Sequence, residues 1–585
     1  MILNKLKKAV SVFKQFWGIL TKKYRIYFIL IFFAIFIASL LETLGISVLL
    51  PFIQAVLNPE QLMQNKYIIS ITRFFNITEK NQFIIFITTF VVLFYVLKNT
   101  YQFWCNYIKN KYRTSLHGFI SETIMESYLH RPYDFFIKTN SSILVRNVIS
   151  DSNSITLCVG CMFSILTTLL IIIFMSVFLF ITDPILASGL CLSAIVVLIG
   201  PVLLLGKKLR NEGADIRTAD AECYKYSMQG FNGIKEIIVS HKEDYFSDAY
   251  HKAFKNKARH DLKKCVIEII PSRLIEVVCL SALIIIVTVN VITGRVVSEV
   301  MVAKLGAFAI AAFKLLPSVS SLSTDLNQFI VQAAALNSVY EILNDNDKYI
   351  NNDGNKEIKF TKNIKFNNLS FFYEGNKDKL ILNKVSTEII KGDVVGIKGP
   401  SGSGKTTFVD LLLGLLNPTE GNITIDNNEL NHENILSWRR NISYVPQSAY
   451  LTDDSIRANI AFGIPESEID NVKIQKAIKE SMLDEYVNSL PNKEYTIVGE
   501  RGVQMSGGQR QRLSIARALY TNPSIIIFDE ATSALDETTE KEIMESIDNL
   551  IGQKTLIIIA HRLSTLKKCN IILEVKDGDV IVSHK

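Results

Sequence analysis

The sequence runs to 585 residues, with 63 Lys and Arg against 56 Asp and Glu, a formal net charge of +7 and 49% hydrophobic residues. That apolar share exceeds what a soluble chain normally carries and is concentrated in the N-terminal half, so a membrane half and a soluble half are expected. The positive charge lies in short clusters beside apolar stretches, such as Lys22, Lys23, Arg25 and Lys207, Lys208, Arg210; this is the bias of cytoplasmic loops and speaks against nucleic acid as a partner.

Residues 1–23 alternate Val12, Phe13, Phe16, Trp17 and Leu20 with lysines, which predicts an amphipathic helix on the cytoplasmic membrane face. Residues 24–343 are expected to form an all-α membrane domain. Six stretches are apolar enough to cross a bilayer, which takes about 20 helical residues: 27–51, 83–106, 157–181, 184–205, 266–292 and 300–321. The links after the second and fourth are long, charged and helix-patterned, without Gly or Pro turn clusters. They predict two helical hairpins projecting into the cytoplasm, with tips near 140–151 and 233–246. An even number of spans puts both termini on the cytoplasmic side. The eight cysteines form neither a disulfide framework nor a zinc site, and the pair Cys158 and Cys161 reads as helix packing at the start of an apolar run.

A polar linker occupies 344–357, and from 358 to 585 short β-patterned runs alternate with helical ones, the signature of an α/β domain with a mainly parallel sheet. Within it Val394–Ile397 reads as a buried strand followed by Gly399, Pro400, Ser401, Gly402, Ser403, Gly404, Lys405, Thr406 and Thr407, and then by a helix. This strand–loop–helix context is that of a phosphate-binding loop: glycines let backbone N–H groups wrap the phosphates, Lys405 reaches the β- and γ-phosphates, and Thr406 ligates Mg²⁺. A second apolar strand ends in Asp529 and Glu530. Asp529 is expected to hold the metal, and Glu530 to activate the attacking water.

Between these elements lies Met505-Ser506-Gly507-Gly508-Gln509-Arg510-Gln511, and here the chain resembles the ATP-binding-cassette proteins through their signature motif. The resemblance extends to Tyr373, expected to stack on adenine; to Gln447 in Tyr444-Val-Pro-Gln447, expected at the metal; to Ser533-Ala-Leu-Asp536 as the D-loop; and to His561 as the switch histidine at the γ-phosphate. It implies ATP and Mg²⁺ as cofactors, with Glu530, His561 and Gln447 as the catalytic group. In the family Ser506, Gly507, Gly508 and Gln509 complete the ATP site of the opposite subunit, so the resemblance implies a dimer, here a homodimer because Glu530, His561 and the signature are intact. The fused six-helix order and the segment 496–502 before the signature resemble exporters, an ATPase coupled to translocation in the cytoplasmic (inner) membrane.

The membrane half is similar to the exporters that flip lipid-linked oligosaccharides in bacterial glycan assembly, through residues 41–52, Gly233-Ile-Lys-Glu-Ile237, Pro271 with Glu276, and Lys314-Leu-Leu-Pro317. That likeness implies a polyprenyl-pyrophosphate oligosaccharide as substrate. Lys98, Arg273 and Lys314, each inside a predicted span, are then candidate ligands for the pyrophosphate. The family commonly has Arg where Lys98 and Lys314 stand, and Arg directly after the fifth-span proline, where this chain has Ser272 with Arg273 one place on. A drug, peptide or lipid A-like lipid exporter is the second reading, and an ATP-gated channel or regulatory receptor subunit a third.

Overall fold

The computed structural model describes residues 13–182, 208–292, 299–344, 356–373, 380–499, 502–531, 537–560 and 566–584, apart from 58, 64–65, 76, 78, 209–210 and 217; 184 and 188 are also described. The chain divides into two compact units, Met1–His130 with Thr139–Asp347 and Arg131–Lys138 with Lys348–Lys585.

The first unit is helical. Its long elements are α1 (Lys22–Leu57), α2 (Lys80–Leu129), α4 (Ser152–Thr182), α5 (Glu243–Ile292) and α6 (Glu299–Asn344), with α3 (Tyr133–Lys138) assigned to the other unit. Among the described residues three helices are long and apolar enough to cross a membrane, Lys22–Val56, Lys80–Leu129 and Ile143–Thr182. The expected span at 184–205 lies outside the described residues except at two positions, while 266–292 and 300–321 fall within α5 and α6. With 50 residues α2 is about 75 Å long at 1.5 Å per residue, more than twice the roughly 30 Å hydrocarbon core, so the predicted span continues unbroken into its polar extension.

Side-chain hydrogen bonds tie these helices together. Tyr24 of α1 donates to the Ser115 carbonyl of α2 at 3.0 Å, and Ser164 of α4 donates to Asp325 of α6. Ile35, Leu116, Ile120, Ile124, Ile155 and Met175 are fully buried. Ahead of α1, residues 13–19 are helical, and Phe13, Phe16 and Trp17 all pack on Phe28. The expected first hairpin tip at 140–151 is split between a short helix, Ser141–Arg146, and a π-helical turn, Asn147–Asp151, both inside this unit; Arg131–Lys138, just before it, groups with the second. At the second tip a short helix, Ile234–Val239, exposes Ile234, Ile238 and Val239.

The second unit contains two sheets. The first is antiparallel, in the order β2 (Leu382–Ile390), β1 (Asn363–Phe371), β4 (Glu420–Ile425), β5 (Asn428–Glu429). The second has the order β10 (Asp579–His584), β9 (Ile571–Lys576), β3 (Val394–Lys398), β8 (Thr555–Ile559), β7 (Ile525–Asp529), β6 (Ile442–Val445). All neighbours in it are parallel except β10 on β9, as the alternating pattern predicts for strands buried on both faces. Val394, Val395 and Ile397 of β3, Ile525–Phe528 of β7 and all of Thr555–Ile559 are buried. The C-terminal ends of β3 and β7 thus arrive side by side across β8, where an α/β sheet places its ligands.

Candidate nucleotide site

β3 delivers the loop 399–404, and α7 (Lys405–Leu412) starts directly after it. The backbone there requires glycine. Gly399 has φ +154°, and a Cβ on it would lie 2.2 Å from the Val575 carbonyl oxygen; Gly404, with φ +104°, is the residue before the helix. Ser401, Gly402 and Thr406 are exposed while Lys405 is only 6% exposed, so the loop presents backbone outward and holds its cation inward. The Lys405 ammonium donates to the carbonyls of Gly399 at 2.9 Å and Pro400 at 3.0 Å, and Ser403 Oγ is buried without a hydrogen-bond partner. A bound phosphate would compete for that ammonium and give the orphaned hydroxyl a partner.

Across β8, the end of β7 carries Asp529 and Glu530. Glu530 has φ +48°, an uncommon conformation for a residue with a side chain, and its N–H donates to the Ile559 carbonyl at 3.1 Å. Gln447, just beyond β6, donates its amide to Glu530 Oε2 at 2.8 Å, and Tyr444 donates its hydroxyl to Asp529 Oδ2 at 2.8 Å. Strand pairing fixes this meeting, since Val445 is in register with Phe528. Burial raises the Asp529 carboxyl above the ordinary carboxylate range; the Tyr444 hydrogen bond and Lys405 act against it, and the Glu530 charge adds to it. Burial, with Asp529 beside it, pushes Asp410 on α7 up to about 6. Burial and the bond to Asp529 push the Tyr444 phenol far up.

Tyr373 is half-buried. Its hydroxyl lies 3.2 Å from Thr407 Oγ1 and its ring sits edge-on to Phe371, so it is tethered beside the first turn of α7. The signature starts α8 (Gly507–Tyr520): Ser506 Oγ accepts from the Gln509 N–H at 3.2 Å and Gln509 Oε1 accepts from the Ser506 N–H at 2.8 Å, a reciprocal cap. Ser506 and Gly507 are exposed and Gly508 is buried. Asp536 and His561 lie outside the described residues.

Of the membrane candidates, Lys98 is buried in an ion pair with Glu42 at 3.0 Å, and Gln102 donates to the same carboxylate. Arg273 is exposed on α5, and the Lys314 side chain on α6 is outside the described set. Sequence reasoning missed three side chains that shape the nucleotide site: Tyr444, Asp410 and Tyr133. Tyr133, on the excursion Arg131–Lys138 that belongs to this unit, has its phenol raised by burial and then by Asp410 and Tyr373. Only Tyr444 carried a signal, one place before a β-strand ends and three before Gln447.

Two family models match the chain: that for the ABC transporter transmembrane region over residues 22–311, and that for the ABC transporter over 382–533. An ATP-dependent lipid A-core flippase of Cupriavidus metallidurans is 29% identical over 78% of this chain and 77% of its own length. The heterocyst differentiation ATP-binding protein HepA of a Nostoc species is 27% identical over 99% of this chain and 94% of its own. Among solved structures, a bacterial Atm1-family ABC exporter with ATP bound superposes with a TM-score of 0.76 at 21% identity, covering 96% of this chain and 94% of that one, a likeness of fold.

Proposed function

Because the chain belongs to the ABC transporters, a multi-pass membrane ATPase of exporter type with one transmembrane region and one cassette, we propose that two copies assemble in the cytoplasmic membrane and flip a phosphorylated glycolipid, first of all a polyprenyl-pyrophosphate oligosaccharide. The observation that carries the ATP-driven part is Glu530, strained at the end of β7 and held by Gln447 beside Asp529 and Lys405. Thr406, Asp529 and the Gln447 carbonyl would supply oxygen donors suited to Mg²⁺, which would neutralise charge on the transferring phosphoryl group. Lys405 binds phosphate oxygens, Tyr373 supports the base, and Glu530 accepts the proton of the attacking water. His561 serves the γ-phosphate, with Asp536 and Ser506, Gly507, Gly508 and Gln509 reaching the partner copy's site. Gly399, Ser401, Gly402, Ser403, Gly404 and Thr407 belong to the phosphate cradle.

The substrate class is supported by the lipid A-core flippases among the relatives, which also favour a lipid A-like glycolipid as a second reading. Proteoliposomes separate the two. ATP turnover is measured with a polyprenyl-pyrophosphate oligosaccharide, a lipid A-type glycolipid or phosphatidylcholine alone, and the first is expected to stimulate most. Equal turnover with all three would overturn the glycolipid reading.

A further inference from the structure

Lys98 is neutralised by Glu42, yet α2 carries three further cations toward its cytoplasmic end, Lys109, Lys111 and Arg113, of which Lys111 is exposed. Lys109 and Arg113 stand one turn apart, are half-buried, and line a cavity of about 340 Å³ closed by α4 and α6. Among the described residues neither makes an ion pair. The cavity is at the lower end of the range for small-molecule sites, and its polar wall is made by Asn106 on the cationic stripe, Ser164 opposite, and Asp325 with Gln328 on α6, beside apolar Leu157 and Phe163. Gly160 lies against the Arg113 side chain, where an added Cβ would reach only ordinary contact with Cδ and Nη1 at 3.6 Å. Asp325 is already oriented by the Ser164 hydroxyl.

Depth decides what reaches it. The apolar run of α2 ends at 106, so Lys109 lies about 5 Å further along the axis, which in the orientation expected from the positive clusters is the headgroup layer of the cytoplasmic leaflet. Two partly desolvated cations facing one carboxylate call for an anion, and the carboxylate and amides call for hydroxyl or amine donors beside it. We propose that this cavity binds the phosphate of a glycolipid headgroup entering from the cytoplasmic leaflet, Lys109 and Arg113 taking the phosphate oxygens and Asp325 with Gln328 the adjoining sugar. The inference rests on the glycolipid reading above and adds its recognition site.

The test is equilibrium binding of a fluorescent polyprenyl-pyrophosphate disaccharide to the full chain in phosphatidylcholine nanodiscs, with inorganic pyrophosphate as competitor. Lys109→Ala/Arg113→Ala is expected to weaken binding at least tenfold, and Arg113→Lys, which keeps the charge but loses the bidentate grip, by a few-fold. Asp325→Asn, a second and milder variant, is expected to weaken the disaccharide lipid but not the sugar-free polyprenyl pyrophosphate. Undiminished binding by the double variant would refute the site and leave the glycolipid function standing. A wild-type chain that does not bind the lipid would overturn both, and inorganic pyrophosphate competing at equal affinity would assign the cavity to a free anion instead.

Discussion

Replacing Lys98 by Met should unfold the membrane unit more readily without touching the nucleotide site. Glu42 is 2% exposed, and its carboxylate is met by the Lys98 ammonium at 3.0 Å and by the Gln102 amide. Lys98 also lies over the Tyr95 ring at 4.7 Å, and its stem packs against Gly45. Removing one partner of such a buried pair costs about 3–5 kcal/mol, because the remaining charge is left without compensation. In a unit of this size that is a fall in melting temperature of roughly 5–10 °C. Lys98→Met/Glu42→Gln removes both charges and should recover most of the loss. The assay is thermal unfolding of the purified chain in nanodiscs, followed by retention of the monodisperse species. If Lys98→Met leaves the melting temperature unchanged and instead abolishes glycolipid binding, the ion pair is not structural and Lys98 is a substrate ligand.

Gly399→Ala should abolish ATP binding, measured by a fluorescent nucleotide, since its Cβ would fall 2.2 Å from the Val575 carbonyl oxygen. Asp410→Asn tests a pH dependence. The native-state pKa is raised from 3.8 to about 6, so the favourable contribution is complete below pH 3.8 and lost as pH rises through 6. The shift converts to at most about 3 kcal/mol, which partial exposure reduces to about 1–2 kcal/mol; above pH 6 the Asn variant should be the more stable by that amount in denaturant titrations, and near pH 4 it should be equal. Ser506→Ala removes the N-terminal cap of α8 and should cost about 1 kcal/mol of stability, seen in the same titrations. A larger fall in ATP turnover than that stability loss explains is expected if Ser506 also serves the partner's nucleotide.

What the sequence discloses depends on how local the physics is. The phosphate loop is legible because a buried strand, glycines at backbone positions closed to a Cβ, and a helix start follow one another within a dozen residues. The parallel sheet is legible because strands such as Ile525–Asp529 and Thr555–Ile559 are apolar without alternation. The positive φ of Glu530 and the meeting of Tyr444 with Asp529 depend on how β6 and β7 pair, 85 residues apart, and no local pattern encodes them. Lys98 reads alone as an unexplained charge in a span; only packing of α1 on α2 brings Glu42 to it. Lys109 and Arg113 lie past the end of the apolar run and read as part of a charged link, so their cavity appears only with α4 and α6 in place. Arg131–Lys138 joins the second unit through contacts with residues far along the chain, which no local pattern encodes.

Hydrolysis at Glu530 is proposed to drive a glycolipid across the bilayer. It is tested most directly by following a polyprenyl-pyrophosphate oligosaccharide from the outer face of wild-type and Glu530→Gln proteoliposomes into the lumen as ATP is added to inside-out transporters. Wild-type protein should move the lipid only with ATP, and Glu530→Gln should bind ATP yet lose both turnover, by about 10²-fold or more, and movement. Unimpaired movement by Glu530→Gln, or wild-type turnover with no movement of the lipid, would contradict it.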